Sequence, residues 1–170
     1  SWSLNEPEPG KWDWEATDRW VDAARKNDLY ILAIVAHAPP WAIPRLNREG
    51  KFKRIQYSNS GAHESNPMPQ HIPAWQEWGR RFVERYKDTV RAADVFNEPW
   101  EGMSISGWCG SGRHYRALLA GFSKGARAAD PGSARLAMSR PPGIERKAAF
   151  AGPMKGVAPV VACWHIVYQT

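Results

Sequence analysis

What this sequence lacks narrows it first. It has only two cysteines, Cys109 and Cys163, far apart and outside any CxxC spacing. They permit one bridge and require none, because buried free thiols are common, so they decide nothing about compartment. No apolar run nears the length of about 18 residues that a membrane-crossing helix needs, so no membrane partner is expected. No strand-like segment is followed by GxGxxG or GxxxxGK[ST], which removes the usual phosphate cradles of nucleotide-binding sheets. His63, Glu64 and His71 match no HExxH or other ligand spacing, so no metal site is expected and no cofactor is implied. Residues 1–15 lack a basic segment leading into an apolar one, and "SWSLNEPEPG" reads as the middle of a domain. No secretion signal is visible, and a secreted or periplasmic setting stays open.

Charge is not concentrated either. There are 23 basic and 17 acidic side chains, a net +6, but the positive residues are spread along the chain. The densest group, Lys51, Lys53 and Arg54, is short and interrupted. This reads as a solvated surface, not as a nucleic-acid footprint.

Tryptophan is abundant, with ten in 170 residues. Each is a rigid apolar plate with one hydrogen-bond donor. Such plates pack a core or line a groove and stack on the flat C–H faces of sugar rings; composition leaves both uses open. Hydrophobic residues at 43% and charged residues at 24% describe a globular chain of about one domain's length.

Periodicity orders the elements. "DWEATDRWVDAARKN" (13–27) carries Trp14, Thr17, Val21 and Ala24 on one helical stripe, with acids near its start and bases near its end. Leu29 to Ala36 is a nearly continuous apolar run, a strand to be covered on both faces, ending at His37 before Pro39-Pro40. A long polar loop from Ala42 to about Ile72 has the character of a lid or binding loop. Pro73 suits a helix's first turn, and Trp75, Trp78, Phe82 and Tyr86 form the buried stripe that follows. "RAADVF" is a second strand, which ends at Asn97 and Glu98. A helix near 113–129 presents Tyr115, Leu118, Leu119, Phe122 and Ala126. "ARLAM" is a short strand, a weaker helix lies near 144–152, and "APVVACWHIVY" is a buried-strand pattern tipped by His165 and Tyr168. A trace of one more strand stands at residues 1–4.

Alternating helices and strands predict an α/β fold with a parallel sheet. Without a phosphate loop, the eight-stranded (β/α)8 barrel is favoured over a doubly wound sheet. Barrels carry function at the carboxyl ends of their strands, and four tips here are polar or aromatic: His37 with Trp41, Asn97 with Glu98, Ser139 with Arg140, His165 with Tyr168. A complete barrel takes roughly 250 residues, so 1–170 is expected to be a single unit holding about five of eight βα repeats.

"WSLNEPEPGKWDWEATDRWVDAA", "ILAIVAHAPPWA" and "VFNEPWEG", in that order, resemble the clan A glycoside hydrolases, with a flavour closest to family 39 (β-xylosidase-like, iduronidase-like); families 5 and 42 stay open. The resemblance extends over nearly the whole chain. It implies a retaining hydrolase of O-glycosyl bonds in β-linked oligo- or polysaccharides, with Glu98 as general acid/base and Asn97 bonded to the sugar 2-hydroxyl. Such a reaction needs a proton delivered to the leaving oxygen as an oxocarbenium-like centre develops. A carboxyl group does this near neutral pH when partial burial or a second carboxylate raises its pKa. The expected substrate contacts are His37, Trp41, Trp100, His165 and Tyr168, with Trp2 lining the subsite. The resemblance puts the nucleophile at the seventh strand tip, and Thr170 falls just after the sixth, so these residues alone should hydrolyse little. Asn97-Glu98-Pro99 also reads as a plain polar turn, His37 as a core histidine and Trp41 as packing. Glu101 reads as a loop residue or a substrate contact. Two rival functions remain: a non-catalytic carbohydrate-binding barrel, and a basic nucleic-acid binder that uses tryptophan stacking.

Overall fold

The computed structural model describes residues 1–43, 66–96 and 111–132, together with the backbone of 136–137. Within them run α1 (Trp2–Asn5), α2 (Glu15–Lys26), β1 (Ile31–Val35), a 3-10 turn (Pro69–His71), α3 (Ile72–Tyr86), β2 (Val90–Val95), α4 (Gly112–Ala129) and β3 (Leu136–Ala137). The described strands form one parallel sheet in the order β1-β2-β3. The expected α/β class with parallel strands is therefore present, as an open sheet among the described residues.

Each helix follows from its sequence. In α2, Glu15 and Asp18 sit in the first turn and Arg25 and Lys26 in the last, complementing the helix dipole. Asp13 accepts the Glu15 N–H at 2.9 Å just before it. Its inward stripe is the predicted one, with Val21 buried and Trp14, Thr17 and Ala24 half-buried. Helix α3 has Pro73 in its first turn and buries Trp75, Trp78, Phe82 and Tyr86. Ser111 caps α4 by accepting the His114 N–H at 3.2 Å. That helix buries Tyr115, Leu118, Phe122 and Ala126, with Leu119 packed at the margin.

Helices α3 and α4 cross at glycine. A Cβ on Gly125 would stand 2.1 Å from the Gln76 carbonyl oxygen and 2.9 Å from the Arg80 nitrogen. Only a residue without a side chain permits this approach of two backbones. On the other side, Arg85 binds Asp18 through two nitrogens and the Tyr86 hydroxyl donates to the same carboxylate at 2.7 Å, tying α3 to α2.

Three of the tryptophans resolve into core. Trp2, Trp75 and Trp78 are buried and mutually in contact, with Trp75 and Trp78 centroids 4.9 Å apart. Each indole N–H is satisfied inside the protein: Trp2 donates to Glu6, Trp75 to the Leu118 carbonyl and Trp78 to Asn5. Trp12 and Trp14 stack on each other at 5.8 Å, with the Arg81 guanidinium over Trp12 at 4.6 Å. Trp20 is 49% exposed on α2.

Two expectations need correction. Residues 1–4 are not a strand: Trp2–Asn5 is one helical turn. Trp2 and Ser3 donate their N–H groups to the Ala36 and His37 carbonyls (3.1 and 2.8 Å), so the segment meets the tip of β1 through these two backbone bonds. The chain then closes on itself, with the Glu6 N–H reaching the Trp2 carbonyl at 2.9 Å. The β1 run is also less covered than a strand buried on both faces, since Ile31 to Ile34 are half-buried and only Val35 is buried. Among the described residues β1 has a full strand partner on one edge alone. The long loop's centre, the helix near 144–152 and the strand tipped by His165 and Tyr168 lie outside the described residues. Among the described residues no helix is long and apolar enough to cross a membrane.

Candidate functional site at the carboxyl edge of the sheet

Strands β1 and β2 end level. Val35 pairs with Val95, and the Phe96 N–H donates to the Val35 carbonyl at 3.0 Å. In open or closed α/β sheets, ligands gather outside the carboxyl ends of neighbouring strands. His37, two residues past the end of β1, is exposed there. Asn97 and Glu98 follow Phe96 directly in sequence and lie outside the described residues, as do Trp100, His165 and Tyr168. Of the predicted contacts, the structure thus brings His37 and Trp41 to one edge.

Both tips leave ordinary backbone space. His37 has φ 60° and Phe96 φ 59°. Left-handed backbone is uncommon outside glycine and, for a bulky residue such as phenylalanine, a true outlier costing about 1–3 kcal/mol. At Phe96 burial offsets this: the ring is fully buried and lies 6.3 Å from Trp75. The consequence is geometric. Pleated alternation stops at Phe96 on one strand and one residue further along, at His37, on the other.

Below the edge lie further polar groups. The Tyr115 hydroxyl donates to the Val95 carbonyl at 2.7 Å. Burial, with the charge of Asp94 adding to it, pushes the Tyr115 phenol up to about 12, so it stays a neutral donor. Asp94 is itself 9% exposed, a carboxylate held within β2. Burial also lowers the pKa of His114 at the start of α4, against the opposing effect of its hydrogen bond to the Pro67 carbonyl.

Beside the edge stands Trp41, half-buried, whose indole N–H donates to the Glu6 carbonyl at 3.1 Å. Its ring meets Trp2 edge-on at 5.2 Å and His71 edge-on at 5.5 Å. Trp2 was expected to line a subsite and does not. It is 0% exposed, locked beneath Trp41 with its N–H spent on Glu6.

Sequence reasoning missed the buried pair Asn5 and Glu6, at 1% and 5% exposure. Asn5 donates to the Thr17 hydroxyl (2.8 Å) and the Asp13 carbonyl (3.1 Å) and accepts from Trp78. Glu6 accepts the Trp2 indole N–H at 2.7 Å and the Gly10 N–H at 2.8 Å. A signal was available: Asn-Glu-Pro occurs at 5–7 as well as at 97–99. In its first occurrence the tripeptide's Asn5 and Glu6 are buried and structural, with Pro7 exposed.

A cleft of about 200 Å³ is lined by Arg25, Asp28, Leu29, Tyr30, Asp88 and Thr89. These residues precede β1 and β2, so it opens at the amino end of the sheet, away from His37 and Trp41. Comparison with protein families, curated proteins and solved structures found no match for this chain.

Proposed function

We propose that this chain is part of a (β/α)8-barrel glycoside hydrolase of the retaining kind, acting on β-linked oligo- or polysaccharides. Glu98 serves as general acid/base and Asn97 binds the sugar 2-hydroxyl. The nucleophile is carried outside these 170 residues. The observation that supports the reading is the level ending of two parallel strands: the Phe96 N–H bonds the Val35 carbonyl at the edge where His37 is exposed, and Asn97-Glu98 come next in the sequence. Sequential strand order with α3 packed on α4 supports a singly wound sheet, the repeating arrangement from which a barrel is closed. His37, Trp41, Trp100, His165 and Tyr168 are the proposed substrate contacts, and no cofactor takes part.

The chemistry divides the work. Glu98 protonates the leaving oxygen, then, as carboxylate, takes a proton from the water that releases the sugar. The test is Glu98→Gln in a chain that includes the nucleophile. Turnover of an unactivated glycoside should fall by about 10²–10⁴-fold, the range general acid catalysis supplies. An aryl glycoside with a good leaving group needs no proton for the first step and should lose less in bond cleavage. Equal rates for both enzymes on the unactivated substrate would refute the assignment.

One observation favours a second reading, a carbohydrate-binding barrel without catalysis. Asn5-Glu6-Pro7 shows the same tripeptide serving structure, with the side-chain polar atoms of Asn5 and Glu6 spent on the protein. If 97–99 repeats that role, Glu98→Gln leaves sugar affinity and any hydrolysis unchanged.

A further inference from the structure

We infer that Glu6 is a positioning residue for Trp41, holding that ring as a sugar-stacking wall; the inference rests on the carbohydrate reading above. The geometry is a hub built by one residue. Its carboxylate takes the Trp2 indole N–H at 2.7 Å on one oxygen and the Gly10 N–H at 2.8 Å on the other. Its main-chain carbonyl takes the Trp41 indole N–H at 3.1 Å. Thus the side chain fixes where the carbonyl stands, and the carbonyl fixes the in-plane rotation of Trp41.

The surroundings complete the clamp. Trp2 meets Trp41 near-perpendicular at 5.2 Å and is anchored through its main-chain N–H to the carbonyl of Ala36, the residue before His37. His71 also meets Trp41 near-perpendicular, with centroids 5.5 Å apart. A flat aromatic ring held by an in-plane hydrogen bond and by edge contacts keeps its orientation without using its N–H on ligand. Such a ring recognises the C–H face of a sugar by stacking, not by donating. A carboxylate at 5% exposure with both oxygens occupied is the rigid element in this set.

The experiment reads the indole N–H signals of the 170-residue chain by nitrogen-15 NMR, alongside its affinity for two soluble β-1,4-linked probes, cellohexaose and xylohexaose. Three chains are compared: wild type, Glu6→Gln and Trp41→Ala. Glu6→Gln keeps the volume but turns an N–H₂ group toward one of the two donors, so the hub loosens. The expected result is that the Trp2 and Trp41 indole signals shift or broaden, those of Trp75 and Trp78 stay, and affinity for the bound probe falls by about tenfold, as with Trp41→Ala.

Undiminished affinity in Glu6→Gln, with a loss in Trp41→Ala, overturns the positioning role and leaves the carbohydrate reading standing. Unchanged affinity in Trp41→Ala, or failure of wild type to bind either probe, overturns both. If Glu6→Gln also loses the Trp75 and Trp78 signals, Glu6 supports the whole core and not one ring, and the inference fails.

Discussion

Alanine at position 125 should pry two helices apart. The added Cβ would stand 2.1 Å from the Gln76 carbonyl oxygen, 2.9 Å from the Arg80 nitrogen and 3.1 Å from the Gln76 carbonyl carbon, all backbone atoms of α3. Real Cβ atoms do not approach closer than 3.0 Å, so α4 must withdraw by about 0.9 Å. No side chain can rotate out of the way. The retreat loosens Phe122 against Trp75 and Trp78, whose centroids now lie 5.7 and 5.9 Å from it. Overpacking of this kind costs about 1–3 kcal/mol, and a rigid obstacle puts it at the upper end. Replacing glycine within a helix returns about 1 kcal/mol of backbone entropy. The net loss is about 2 kcal/mol, roughly thirtyfold in the folding constant. Gly112→Ala is the control: its nearest neighbour is the Arg116 guanidinium at 4.0 Å, so it should gain about 0.5 kcal/mol. Urea titrations followed by tryptophan fluorescence give both midpoints with the slope checked for constancy. A Gly125→Ala chain as stable as wild type would refute the described crossing.

Tyr115→Phe leaves the Val95 carbonyl without its 2.7 Å donor beneath the candidate site and should cost about 1–3 kcal/mol in the same titration. The hydrogen bond from Arg85, with lesser help from Tyr86, lowers the Asp18 pKa against an opposing burial effect. A depressed carboxylate stabilises above its unfolded pKa near 3.9 and loses that stabilisation as pH falls through the folded value. Arg85→Gln should therefore flatten the acid limb of stability below about pH 4, by no more than about 1 kcal/mol because the pair is partly exposed and salt-screened. His114 behaves alike near neutrality: burial lowers its pKa, so its contribution is complete above about pH 6.5 and is lost as pH falls. Removing the imidazole by His114→Gln should reduce the slope of stability against pH below 6.5, and an unchanged slope would contradict that burial.

The helices were legible because amphipathic stripes carry their own period. Trp75, Trp78, Phe82 and Tyr86 are buried as spaced, and so are Tyr115, Leu118, Phe122 and Ala126. The strands were legible as apolar runs bounded by turn residues, and their parallel pairing followed from the helices between them. Residues 1–4 were misread because "SWSL" has no period. What bends it is the local bond from the Trp2 indole to Glu6 together with two tertiary N–H bonds to the chain just past β1. The burial of Asn5 and Glu6 was hidden for the same reason: short polar residues read as surface until their partners, here Trp78, Thr17 and Gly10, are known. Left-handed backbone at Phe96 has no local signature, since a bulky aromatic residue rarely adopts it. Of the candidate site, sequence placed His37 and Trp41 near a strand end, but not Trp41's tie to the Glu6 carbonyl.

The central claim is that sugar binds at the carboxyl edge of this sheet, and backbone amide NMR of the chain titrated with a soluble β-linked oligosaccharide tests it most directly. The account predicts saturable shifts at Val35, Ala36, His37, Val95 and Phe96, insensitive to salt, with Ile31, Val90 and the Arg25–Thr89 cleft unmoved. Shifts confined to the amino end of the strands, or none at any oligosaccharide concentration, would contradict it.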